Sequence, residues 1–222
     1  MIIANRKPIE EILEMLNGCN KVLLLGCKGC VTVCNAGGAK EVGILASILK
    51  IARKKEGRPL EVDEKTIERQ CDPEYVAQVR ELVDKYDAVL SMACGVGPQF
   101  LSEAYPEQRF FPAVNTTSFG GAIGHGVWSE RCAGCGTCII HHYDGMCPIA
   151  RCSKSLMHGP CGGSARGKCE IAKDVDCIWD MIVKKKMEQG RLEDLMNMKP
   201  PKDWRTARDG GPRTSVREEL VQ

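Results

Sequence analysis

The chain has 222 residues, a net charge of +2, 43% apolar residues and only 5% aromatic ones. This balance excludes a polyelectrolyte and leaves few rings for stacking on nucleic acid bases, while the apolar share suffices for a packed core in one or two domains. The 14 cysteines are far more than packing alone uses in a protein of this size.

In chain order, residues 1–16 carry a charge-laden helical pattern and lack the apolar core of a signal peptide. No run approaches the length of a membrane span, so a cytoplasmic chain with no direct membrane insertion is expected. There, disulfides are rare, and clustered cysteines hold metal or do redox chemistry. Apolar runs at 22–25, 88–92 and 110–114 alternate with helical spacing, and a short run at 60–62 reads as an edge strand. The fold class expected is therefore α/β, with a small Rossmann-like parallel sheet layer over residues 1–120. A covering helix is predicted over 38–55, and Asp72 with Pro73 announces another. From the glycine-rich stretch 119–126 onward, regular patterns stop. Residues 121–198 then read as a cysteine-rich, loop-dominated metal-binding region closed by a C-terminal helix, and 199–222 as a mobile tail.

Cys27, Cys30 and Cys34 directly follow the first of these strands, and Cys94 follows the second. Ligands of parallel sheets gather at strand carboxyl ends, so these four thiolates are predicted to hold a [4Fe–4S] cluster or a zinc ion, with Cys71 as a competing fourth ligand. Cys27-Lys28-Gly29-Cys30 alone would suit a thioredoxin-like redox pair, but Cys34 would then have no role. Cys19 stands apart and is expected to be a buried free thiol. Gly95-Val96-Gly97-Pro98 lacks the full dinucleotide fingerprint, so no nucleotide site is assigned.

The second constellation is Cys132-Ala133-Gly134-Cys135-Gly136-Thr137-Cys138, followed by Cys147-Pro148. Three cysteines at this spacing and a Cys-Pro pair are similar to the bacterial ferredoxin run, although the gap before Cys147 is longer. A second [4Fe–4S] cluster is predicted here, with Cys147 as the first choice for its last ligand. Cys152, Cys161 and Cys169 complete the candidate metal ligands, and Cys177 opens the last helix. They are left for a further cluster or for zinc, which His125, His141, His142 and His158 also keep open.

Asn115-Thr116-Thr117-Ser118-Phe119-Gly120-Gly121, Cys132-Ala133-Gly134-Cys135-Gly136-Thr137-Cys138, Cys147-Pro148-Ile149-Ala150-Arg151-Cys152-Ser153-Lys154, Gly159-Pro160-Cys161-Gly162-Gly163, and Gly167-Lys168-Cys169-Glu170 with Cys177-Ile178-Trp179 resemble the methylenetetrahydrofolate reductase C-terminal domain family. The nearest version is the small iron–sulfur, sometimes zinc-containing, subunit of the two-subunit enzyme of acetogenic bacteria. The resemblance implies a partner: a TIM-barrel subunit that carries flavin and folate, with the small subunit relaying electrons from an electron-donor protein. A barrel needs about 250 residues, so catalytic groups are assigned to the partner and none to this chain. Trp204 and Trp179 are candidate docking residues, Trp179 having a core role as its alternative. The rival function is a zinc-stapled structural or regulatory assembly subunit without a redox role.

Overall fold

The apolar run around Leu24 becomes the central strand of a parallel sheet. The computed structural model describes residues 1–221 and forms two compact units, Met1–Ser129 and Glu130–Gln222. The first unit opens with β1 (Ile2–Arg6), α1 (Ile9–Met15), β2 (Lys21–Cys27), α2 (Cys30–Val33), α3 (Ala39–Lys55) and β3 (Glu61–Ile67). It continues with α4 (Pro73–Val76), α5 (Arg80–Val83), β4 (Ala88–Ser91), α6 (Val96–Ala104), β5 (Phe110–Pro112) and β6 (Val114–Gly124), and β7 (Val127–Cys132) runs across its boundary at Ser129.

Strands β3, β2, β4 and β5 pair in that order, all parallel. Alternation along β2 serves both faces, as a doubly covered parallel sheet requires. Val22 and Leu24 pack with Ile12 of α1 and with Val42, Leu45 and Leu49 of α3. Leu23 and Leu25 pack on the other side with Val76, Val83 and Leu101. Asp72 caps α4 by accepting a hydrogen bond from the Glu74 amide at 3.2 Å, with Pro73 at the first helical position.

The first residues differ from the expected helical pattern. Ile2–Arg6 is a strand, antiparallel to β6 from Ile2 opposite Phe119 to Arg6 opposite Val114, and β7 completes a second, three-stranded sheet. The helical signal belongs only to Ile9–Met15. Regular structure likewise persists past residue 119, because the glycine-rich stretch lies in β6 and gains backbone partners from β1 and β7.

The second unit has α7 (Pro148–Arg151), α8 (Ile178–Glu188) and short 3-10 turns. The C-terminal helix α8 ends at Glu188, and Leu192–Met196 follows as a separate 3-10 turn. Its apolar core is small, with Tyr143, Cys177, Ile178, Trp179 and Ile182 as the buried members. Trp179 is 2% exposed and donates its indole N–H to the Leu156 carbonyl at 3.1 Å, so it is a core residue and not a docking surface. Beneath α8, the fully buried Lys186 ammonium lies 2.9 Å from Asp144 and 2.9 Å from Asp194, and Arg191 joins both carboxylates. Among the described residues, no helix is long and apolar enough to cross a membrane.

Candidate metal centres

Because β3, β2 and β4 are parallel neighbours, their carboxyl ends share one edge. Cys27 ends β2, and Cys71 and Cys94 lie shortly beyond β3 and β4. The three thiols are mutual electrostatic neighbours: burial first, then Cys27 and Cys94, pushes the Cys71 thiol above its ordinary value. Cys30 opens α2 and is half-buried. Cys27 and Cys34 are buried with Ala4, Val31, Ala36, Ala93 and Val114, against which Cys94 and Trp128 pack. Cys34 Sγ faces the Val31 carbonyl at 3.7 Å and the Ala4 carbonyl at 3.8 Å, and Cys27 Sγ faces that of Glu68 at 3.8 Å. Cys19 lies elsewhere, in the core between α1 and α3, where burial raises its pKa.

Two details of this edge bear on a bound group. The buried Trp128 indole N–H, beside the cysteine cluster, has no hydrogen-bond partner among the described residues. An orphaned buried donor costs roughly 1 to 3 kcal/mol, and a cluster sulfur would satisfy it. The cysteine loop is also seated closely on β4. The Cys27 amide donates to the Gly37 carbonyl at 3.0 Å, and a Cβ on Gly37 would stand 1.7 Å from the Met92 carbonyl oxygen. That atom is backbone and cannot step aside. Gly37→Ala is therefore expected to destabilise the first unit by about 1 to 3 kcal/mol, measured as the denaturation midpoint.

In the second unit, four sulfurs accept backbone N–H groups. Gly134 donates to Cys132 Sγ at 3.3 Å, Ala150 to Cys147 Sγ at 3.4 Å and Gly163 to Cys161 Sγ at 3.4 Å. Cys169 interacts with the Ser153 hydroxyl and the amides of Ala172 and Ile171, which lower its pKa to about 7. Hydrogen bonds to sulfur favour the thiolate, the form that binds metal. Cys152, Cys161, Cys169 and Cys177 line one cavity of about 10 Å³, together with Arg151 and Trp179. The Arg151 guanidinium feels the Cys147 sulfur and reaches Met181 Sδ at 3.4 Å.

Residues past 202 cover the loop that bears Cys132, Cys135 and Cys138. Thr206 donates its hydroxyl to the Cys135 carbonyl at 3.1 Å, the Thr137 amide approaches Thr206 Oγ1 at 3.2 Å, and Arg213 reaches the Gly134 carbonyl at 3.3 Å. Gly136 permits this contact: its φ is +82°, and a Cβ there would lie 2.1 Å from the Thr206 carbonyl oxygen. Gly136→Ala should cost about 2 kcal/mol and lift the segment off the loop, read as a lower denaturation midpoint and faster proteolysis of residues past 202. Of the histidines, His141 and His142 lie with ring centroids 3.8 Å apart and planes tilted by 48°, and His158 contacts the Lys199 carbonyl at 3.0 Å.

Among the described residues, no three side chains of His, Cys, Asp or Glu converge tightly enough to hold a metal ion. The donor sets are all sulfur, and at Cys132, Cys147, Cys161 and Cys169 the sulfur accepts N–H groups; such donors fit iron–sulfur clusters and zinc.

Residues 111–205 match the model of the family described as methylene-tetrahydrofolate reductase C terminal. No curated protein matches the chain, and no solved structure does. The matched segment holds all eight cysteines from Cys132 to Cys177, while the six from Cys19 to Cys94 precede it. The likeness to the methylenetetrahydrofolate reductase C-terminal family is thus carried by residues 111–205, less than half of the chain.

Proposed function

We propose that the chain is the iron–sulfur electron-transfer subunit of a methylenetetrahydrofolate reductase complex. It passes electrons from an external donor to the flavin of a TIM-barrel partner, which reduces methylenetetrahydrofolate to methyltetrahydrofolate. The observation that carries this reading is the coincidence of the family match with sulfurs already held by backbone N–H groups at Cys132, Cys147, Cys161 and Cys169.

When bound, a [4Fe–4S] cluster supplies one-electron chemistry. The residues of this chain hold and tune it. At the sheet edge the proposed ligands are Cys27, Cys30, Cys71 and Cys94. Cys34, expected from spacing to be a ligand, faces two carbonyl oxygens, which suit a thiol proton and repel a thiolate. In the second unit the proposed ligands are Cys132, Cys135, Cys138 and Cys147, with Arg151 offsetting negative charge beside Cys147. The Trp128 N–H is the donor available to the first site. Making the carbon–hydrogen bond is the work of the partner's flavin.

The test is reconstitution. Prepared alone and without oxygen, the chain should reduce no methylenetetrahydrofolate, and adding the flavin-loaded barrel subunit with a reduced donor should restore turnover. Turnover by the chain alone, or a co-purifying partner that lacks flavin, contradicts the proposal.

A further inference from the structure

We infer that a cavity of the second unit, set between the turn that bears His142, the loop at 157–159 and the segment 194–199, is a binding site for a small organic carboxylate. The cavity has about 190 Å³ of free space. One water takes roughly 10 to 15 Å³ on the same measure, so the space admits a molecule of on the order of ten non-hydrogen atoms. No cysteine lines it, so the site is independent of the proposed cluster ligands.

The walls are tied down from the core. The Tyr143 hydroxyl donates to the Met157 carbonyl at 2.6 Å, and the Trp179 indole donates to that of Leu156 at 3.1 Å. Gly159 lies directly against Trp179, since a Cβ there would stand 2.5 Å from the indole ring. His158 contacts the Lys199 carbonyl at 3.0 Å and joins the opposite wall to the same loop.

The polar groups that line the space are left open. Among the described residues, the side-chain polar atoms of His142, Asn197 and Lys199 have no hydrogen-bond or ion-pair partner. Burial first, then His141 and Lys199, holds the His142 pKa below its ordinary value, so positive charge meets here without an anion to offset it. The carboxylate of the lining, Asp194, is engaged by Lys186 at 2.9 Å and Arg191 at 2.6 Å. Lys199 is thereby left with one uncompensated charge, which a monoanion matches and a phosphate dianion exceeds. The imidazole of His142 and the amide of Asn197 supply further hydrogen bonds, and Met157, Leu195 and Met198 offer an apolar flank to the body of the ligand.

The experiment is equilibrium dialysis of labelled benzoate against the full-length chain prepared without oxygen, with Lys199→Met and, as a control on the exposed side of α3, Lys50→Met. Saturable uptake of one benzoate per chain, weakened about tenfold in Lys199→Met and unchanged in Lys50→Met, supports the site. No saturable uptake, or uptake indifferent to Lys199→Met, overturns it. Benzylamine, which has the same ring and the opposite charge, should not compete; competition equal to that of unlabelled benzoate overturns the site. Inorganic phosphate displacing benzoate at lower concentration than acetate does overturns the choice of a carboxylate. Should Lys199→Met fail to fold, amine labelling of the unaltered chain read by mass spectrometry decides. Benzoate slowing the labelling of Lys199 but not of Lys50 supports the site, and equal labelling of Lys199 with and without benzoate overturns it.

Discussion

In protein prepared without oxygen, Cys71→Ser should remove the iron held by the first unit, about four atoms per chain, together with its paramagnetic signal in the reduced state. Cys94→Ser should do the same, while Cys34→Ala and Cys19→Ser should leave the iron in place. The ground is placement. Cys27, Cys71 and Cys94 stand at the carboxyl ends of three adjacent parallel strands, and Cys34 turns to the carbonyls of Ala4 and Val31. Iron analysis with electron paramagnetic resonance reads the outcome. Loss of the signal in Cys34→Ala but not in Cys71→Ser would exchange their roles.

The largest expected effect on stability is at Lys186. Lys186→Met removes a buried ammonium and leaves Asp144, only 13% exposed, with its charge shared by Arg191 alone. Breaking a buried ion pair from one side typically costs 3 to 5 kcal/mol, and the lower figure, about 3 kcal/mol, applies because Asp194 remains a third exposed. Denaturant unfolding followed by tryptophan fluorescence, with Trp179 in this core, measures the loss. The pH dependence has a definite sign. Burial opposes the Lys186 charge, but hydrogen bonds to Asp144 and Asp194 prevail and raise its pKa, so its contribution is full below the ordinary lysine value and lost only as pH rises past it. Asp194 is held below the ordinary carboxylate range, chiefly by Lys186, so its contribution is present at neutral pH and lost as pH falls through that range. Unfolding in acid should therefore be shifted toward neutral pH by the variant.

The parallel sheet was legible because its strands are short apolar runs that each stand on local sequence, and Asp72-Pro73 marked a helix start that the structure keeps. The second sheet was not. β1 is followed at once by the charged helix α1, whose pattern masks it, and its partner β6 lies more than a hundred residues away in a glycine-rich stretch. Nothing local joins them.

Cys71 shows how one strand boundary bears on the proposed ligand set. The strand read at residues 60–62 continues to Ile67 through Asp63, Glu64 and Lys65, whose charges hide it although an edge strand can expose them. With the strand extended, Cys71 falls at its carboxyl end beside Cys27 and Cys94. Cys177 carried a different difficulty. Its spacing placed it at a helix start, but its place in the cavity depends on how the loops between Cys152 and Cys169 fold back, and those loops have little regular pattern.

The central claim, that electrons pass through this chain to a flavin on its partner, is tested most directly by rapid mixing. The chain would be reduced anaerobically, freed of excess reductant, and mixed with the oxidised flavin-loaded barrel subunit while iron–sulfur and flavin absorbance are followed together. Recovery of the iron–sulfur absorbance in step with flavin bleaching, abolished in Cys71→Ser or Cys138→Ser, is the result predicted. Iron–sulfur absorbance that stays bleached while the complex turns over, or full donor-dependent turnover with iron-free chain, would contradict it.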